Sequence, residues 1–168
     1  MKEKSKEKEK KTNAMRQLDT AKIAYRVLTY SYDDEDFSGT KVAEEIGLSG
    51  AQVFKTLLTE NGKGQYVVCC IPVEKKLALK SLAKSSGQKT LSMIPVANLL
   101  PVTGYVRGGC SPIGMKKKFD TYLDESALLF PEIAVSAGVR GAQIVLSPTD
   151  LVTAVAAKTG AFATDTDE

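Results

Sequence analysis

Residues 53–71 read VFKTLLTENGKGQYVVCCI. Two runs of apolar, β-branched and aromatic residues flank NGKG, a turn sequence, so 53–59 and 65–71 are expected to pair as an antiparallel hairpin. One residue disturbs the pattern. Lys55, flanked by Val53, Phe54, Leu57 and Leu58, interrupts an otherwise apolar strand. Alternation allows such a lysine to snorkel outward at a strand end; a role in a site is the other reading, and position alone leaves both open. Thr56 has the same standing, since hydroxyls on strands usually satisfy local hydrogen bonds, and so has Tyr30 on the next strand upstream.

Working outward, Asn13 is expected to cap a helix that carries Ala14, Met15, Leu18 and Ile23 at near-helical spacing. YRVLTY at 25–30 reads as a strand, SYDDEDFSG at 31–39 as an acidic loop, and TKVAEEIG at 40–47 as a short helix stopped by Gly47. Ser49 with Gln52 forms a capping box for a single helical turn that feeds the hairpin. Downstream, KKLALKSLAKSSG at 75–87 is expected to be helical, KTLSMI a short strand, and PVANLL at 95–100 a helical turn opened by proline. FDTYLDE, EIAVSAG and AQIVLS read as strands, with GVRG at 138–141 turning the last two into a hairpin. SPTDLVTAVAAKTG at 147–160 is the clearest helix, with Ser147 as cap, Pro148 in the first turn and Gly160 at the end. Strands outnumber helices and hairpins recur. This pattern predicts an α+β fold with a mixed, mostly antiparallel sheet and helices packed around it, not an alternating doubly wound one.

The chain has 168 residues, 43% hydrophobic and 26% charged, a composition for one globular domain with a real core. No apolar run approaches the roughly 18 residues needed to span a bilayer, and the first residues are charged instead of forming a signal-peptide core, so a cytoplasmic protein with no membrane partner is expected. The segment KEKSKEKEKK at 2–11 carries six lysines and three glutamates, which accounts for the whole formal net charge of +3. Residues 1–12 therefore read as a flexible tail, for solubility or as a nucleic-acid arm, followed by a single domain over 13–162 and a frayed acidic end at 163–168. Three cysteines, an odd number, read as reduced thiols. With no histidine anywhere, Ser-His-Asp, Cys-His and histidine-zinc chemistry are excluded, and neither a metal nor a cofactor is expected.

A second stretch, YVRGGCSPIGMKKK at 105–118, admits three readings. As a P-loop it lacks the GxxxxGK[ST] order and the following helix. As a nucleophile site it offers Cys110, which has no histidine partner. As a set of backbone donors it offers Gly108 and Gly109, whose amides can converge on an anion or an oxyanion; the alternative is a tight turn that needs positive φ. Lys116, Lys117 and Lys118 form either a solvated face or a contact to a phosphate backbone.

Together, NAMRQLD at 13–19, LTY at 28–30, VFKTLL at 53–58, TGYVRGGCSPIGMKKK at 103–118 and VSAGVRG at 135–141 occur in the order and spacing of the YbaK-type aminoacyl-tRNA deacylases. The chain closely resembles the Cys-tRNA(Pro)/Cys-tRNA(Cys) deacylase branch from Asn13 to the C-terminal helix. The resemblance implies a strongly twisted mixed sheet approaching a barrel, surrounded by helices. It also implies a trans-editing activity that removes mischarged cysteine from tRNA(Pro), and from tRNA(Cys), with aminoacyl-tRNA as substrate and prolyl-tRNA synthetase as partner. Carried to matching positions, it makes Lys55 the essential lysine and Gly108 and Gly109 a backbone platform at the scissile ester. Tyr30, Thr56, Ser111 and Ser136 line the pocket, and Lys116–Lys118 face the tRNA. The cysteine substrate then supplies its own thiol, which leaves as a cyclic thiolactone. Relatives commonly have histidine where Leu28 stands, and some carry an acidic residue where Gln143 stands; Ala137 and Val139 replace frequent glycine and lysine. Two other functions fit the same fold: a deacylase for Ala-tRNA(Pro) or another small amino acid, and a non-catalytic module that binds tRNA or the synthetase.

Overall fold

A computed structural model describes residues 10–32, 36 and 38–166. The hairpin at its centre consists of β2 (Phe54–Glu60) and β3 (Tyr66–Pro72), in a register that sets Lys55 opposite Ile71 and Thr56 opposite Cys70. Asn61 Oδ1 accepts the amides of Lys63 and Gln65, which fixes the turn. β5 (Ser92–Met93) flanks β2, while β6 (Asp120–Asp124) and β9 (Lys158–Gly160) continue beyond β3 as parallel strands. A second sheet has the order β1 (Arg26–Thr29), β8 (Ala142–Leu146), β7 (Ile133–Ser136), all antiparallel, and β4 (Lys76–Leu77) pairs with β10 (Ala163–Thr164). Antiparallel pairings thus predominate, and an α+β architecture is observed. Among the described residues the strands form these three sheets without a closed barrel. A parallel bridge between Val53 and Ala134 joins the two larger ones.

Helices α1 (Asn13–Thr20), α2 (Gly39–Ile46), α3 (Leu79–Ser86), α4 (Leu99–Thr103) and α5 (Pro148–Val155) surround the sheets. One apolar cluster joins α1 to β7 and β8 through Ala14, Leu18, Val135 and Ile144, and takes in Phe54 and Cys70 from the near face of the hairpin. A second, on the other face, packs Cys69 and Ile71 against Leu82 of α3, Tyr122 and Phe162. Each fully buried leucine or phenylalanine of this kind contributes roughly 1.5–3 kcal/mol. No helix among the described residues is long and apolar enough to cross a membrane.

Several elements differ from the sequence reading for physical reasons. The first helix is capped by Thr12, whose Oγ1 accepts the Met15 amide at 3.2 Å, while Asn13 Oδ1 accepts from Arg16. The helix expected over 75–87 begins at Leu79, because Lys76 and Leu77 are drawn into the ladder with β10. The helix expected to reach Gly160 ends at Val155 with Ala156 in the left-handed region, φ 53°, which frees Lys158–Gly160 to pair beside β6. Ala163 and Thr164 of the acidic end pair with β4. The buried Asp124 takes the amides of Phe162 and Ala163 on Oδ1 at 2.8 and 3.0 Å and that of Ser126 on Oδ2. Of the lysine-glutamate tail, all before Lys10 lies outside the described residues, as do Asp33–Glu35 and Phe37 of the acidic loop.

Candidate active site

The site begins with an asymmetry in β2. Along its whole length the strand pairs with β3, while on its other side the pairings among the described residues are the bridge from the preceding Val53 to Ala134 at one end and the β5 segment, at Leu58–Glu60, at the other. Between those two contacts opens a cavity of about 730 Å³, within the range of small-molecule sites. Ser38, which caps α2, and Val42 within it form one wall, Ile94, Val96 and Leu99 a second. The third consists of Arg107, Gly108 and Cys110, with Ser136 and Gln143 beneath.

Lys55, Thr56, Gly108 and Ser136 line this cavity together. Among the described residues the half-buried Lys55 ammonium has neither an ion-pair nor a hydrogen-bond partner. Burial, and then the positive charge of Lys76, hold it below the usual lysine range. Thr56 Oγ1 lies 3.6 Å from Cys70 Sγ, and Ser136 Oγ accepts the Gly138 amide at 3.1 Å.

The glycine loop is rigid by construction. Gly108 adopts φ 85°, a conformation that side chains strain, and Gly109 lies so close to the 138–141 turn that a Cβ would sit 3.0 Å from Arg140 N and Val139 C. The two amides are not equivalent. That of Gly109 donates to Val106 O at 2.9 Å within the turn, whereas among the described residues that of Gly108 donates to no backbone carbonyl. Tyr105 anchors the loop from below, its hydroxyl donating to Ile113 O at 2.6 Å. Cys110 reaches the cavity, but burial pushes its thiol up to about 12, so it stays protonated at neutral pH.

Other expected site residues lie elsewhere. Ser111 is fully buried behind the loop, its Oγ accepting the Ile113 amide at 3.2 Å. Tyr30 stands off the cavity with its ring edge-on to Tyr32, and its buried hydroxyl has no partner among the described residues. Lys116, Lys117 and Lys118 are exposed outside the cavity, Lys116 Nζ donating to Pro101 O at 3.4 Å. Conversely, the structure brings in residues that chemistry-bearing types alone did not mark. The apolar wall at 94–99 is one; Gln143, noted in the sequence only as a departure from the family, also lines the cavity, and its buried Oε1 has no partner among the described residues.

Sequence comparison bears on what such a cavity is for. The profile of the aminoacyl-tRNA editing domain matches residues 37–154, which include β2, the glycine loop and the β7–β8 hairpin. The chain belongs to the aminoacyl-tRNA editing domain family. It is 46% identical over 140 residues, 83% of this chain and 85% of the other, to EbsC of Enterococcus faecalis, a protein named as a candidate Cys-tRNA(Pro)/Cys-tRNA(Cys) deacylase. Its fold matches that of a crystal structure described as a candidate trans-editing enzyme for prolyl-tRNA synthetase. There the TM-score is 0.80 at 21% identity, over 90% of this chain and 95% of that one. All the cavity-lining residues but Asp36 fall within the matched region of the editing family.

Proposed function

We propose that this member of the editing family is a trans-editing deacylase that removes cysteine mischarged onto tRNA(Pro), and cysteine from tRNA(Cys), in the cytoplasm beside prolyl-tRNA synthetase. The observation that carries the chemical part is that the cavity holds no activated protein thiol. Its one thiol, Cys110, is neutral at pH 7, and the chain has no histidine to activate it. An aminoacyl ester is already activated, so positioning and charge stabilisation suffice when the substrate brings its own nucleophile. The cysteinyl sulfur attacks the ester carbonyl carbon as the carbon–oxygen bond to the ribose breaks. The thiol proton ends on the ribose oxygen, and the products are a four-membered thiolactone and free tRNA.

In this reading Lys55 holds the substrate or its terminal nucleotide by charge, and Gly108 supplies a main-chain donor, with Gly109 shaping the loop around it. Thr56 and Ser136 contact the aminoacyl group, while Tyr30 and Ser111 support the surrounding walls. Lys116, Lys117 and Lys118 face the tRNA backbone. A deacylase domain over residues 13–162 carries the activity. The two larger sheets, joined through Val53 and Ala134, approach a barrel around the cavity. The test is a deacylation panel of cysteinyl-, S-methylcysteinyl-, alanyl- and seryl-tRNA(Pro), run with and without prolyl-tRNA synthetase. Cysteinyl-tRNA is expected to be cleaved and its S-methyl analogue spared. Cleavage of alanyl-tRNA as fast as cysteinyl-tRNA removes the thiol from the mechanism, and no cleavage of any ester overturns the assignment.

A further inference from the structure

Five consecutive residues, Phe54 to Leu58, all line the cavity. Side chains alternate across a strand, so five in a row cannot all do so through their side chains. What faces the cavity is the edge of β2. The direction of its main-chain groups follows from three bonds. Val73 N donates to Val53 O on the β3 side at 2.8 Å, whereas Ala134 N donates to Gln52 O at 3.1 Å and Ile94 N to Leu58 O at 3.2 Å on the opposite side. Alternation then turns the amides and carbonyls of Phe54, Thr56 and Leu58 toward the cavity. The Phe54 amide lies within the bridge to Ala134, and the Leu58 carbonyl is taken by Ile94. Among the described residues no ladder or bridge places a partner opposite Thr56 on this side, because the flanking chain meets Pro95 after Ile94 and coils away as a 3-10 turn at Val96–Asn98.

An unpaired pair of this kind inside a cavity asks for a ligand that can replace a strand residue. A residue opposite Thr56 would donate one N–H to its carbonyl and offer one carbonyl to its amide. An α-aminoacyl ester carries those two groups on adjacent atoms. We infer that the main chain of Thr56 binds the aminoacyl group as a one-residue strand, its C=O accepting from the α-amino group and its N–H donating to the ester carbonyl oxygen. This rests on the deacylase reading above and deepens it. Negative charge grows on that oxygen as sulfur attacks, so the Thr56 amide stabilises the transition state more than the ground state. The rigidity of the edge, held by β3 behind and bridged at both ends, sets the donor before substrate arrives.

The experiment replaces Thr56 by its α-hydroxy analogue, which exchanges the N–H for an oxygen and keeps the side chain. With native circular dichroism, the variant is expected to lose about 10²–10³-fold in kcat on cysteinyl-tRNA with KM changed by less than about threefold. A folded variant at the wild-type rate overturns the inference. A second measurement uses the unaltered protein with 3-mercaptopropionyl-tRNA, which retains thiol and ester but has no α-amino group. Its KM is expected to rise about tenfold, in keeping with the loss of one charge-assisted hydrogen bond; equal kcat/KM for the two substrates overturns the amino contact and decides the matter if the variant does not fold. Failure of the wild-type protein to cleave cysteinyl-tRNA at all is a different result, and it removes the deacylase reading first.

Discussion

β2 and β3 are neighbouring strands of seven residues in one hairpin, yet they lead different lives. β3 has partners on both sides over Val67–Cys70 and is buried from Val67 to Pro72, with two cores pressed against its faces. β2 has, among the described residues, one partly unpaired edge and a cation without a partner at its second residue, and only Phe54, Leu58 and Thr59 are buried. The hairpin therefore separates stability from chemistry by the width of one strand. The inner strand holds the register, and the outer strand spends that rigidity on presenting its edge.

The contrast can be broken first at Ile71, fully buried in the second cluster. Ile71→Ala is expected to cost about 2–5 kcal/mol of stability in urea unfolding, while kcat/KM of the folded fraction stays within about threefold. Its partner across the ladder should behave in the opposite way. Lys55→Met is expected to lower deacylation by about 100-fold, the scale for one transition-state contact, with Tm held or raised. The sign follows from its lowered pKa: the folded protein binds the Lys55 proton less tightly than the unfolded chain, so its cost to folding is present at neutral pH and relieved as pH rises toward 10.5. Wild-type activity should decline on the alkaline side over that same window.

The thiols of β3 sharpen the comparison with a pH dependence of opposite sign. Burial raises Cys69 and Cys70 above the ordinary 9.0, Cys70 to about 12. The unfolded chain releases those protons first, so this stability is complete below pH 9 and is lost as pH rises from 9 to about 12. Unfolding free energy measured at pH 8 and pH 11 is expected to fall, and Cys70→Val to flatten the fall. The smallest effect belongs to the exposed lysines beyond the cavity. Lys117→Ala combined with Lys118→Ala is expected to leave kcat unchanged and raise KM for tRNA, with the salt slope shallower by about one per lysine.

Local signals carried much of this fold. NGKG set the hairpin, Gly47 and Gly87 ended their helices at left-handed φ, and Ser147 capped α5 as its spacing required. What local signals did not carry were the choices made by distant partners. Lys76 and Leu77 read as helix until β10, nearly 90 residues later, pairs with them, and Lys158–Gly160 read as helix until β6 claims them as a strand. At the site, Lys55 was legible because a charge in an apolar strand is conspicuous. The open edge beside it was not, because it depends on where β5 leaves the ladder, and the Gly109 amide looked available until the turn that consumes it was placed.

Asp124 fastens residues 162 and 163 to the end of β6, and Phe162 completes the second core. Along a growing chain these residues emerge after β1–β9. The hairpin and the β1–β8–β7 sheet can form before them, but the layer under α3 stays unsealed until β9 and Phe162 arrive. Chains truncated before residue 162 should therefore remain protease-sensitive around α3, whereas chains that include β9 and residues 162–164 should be resistant there.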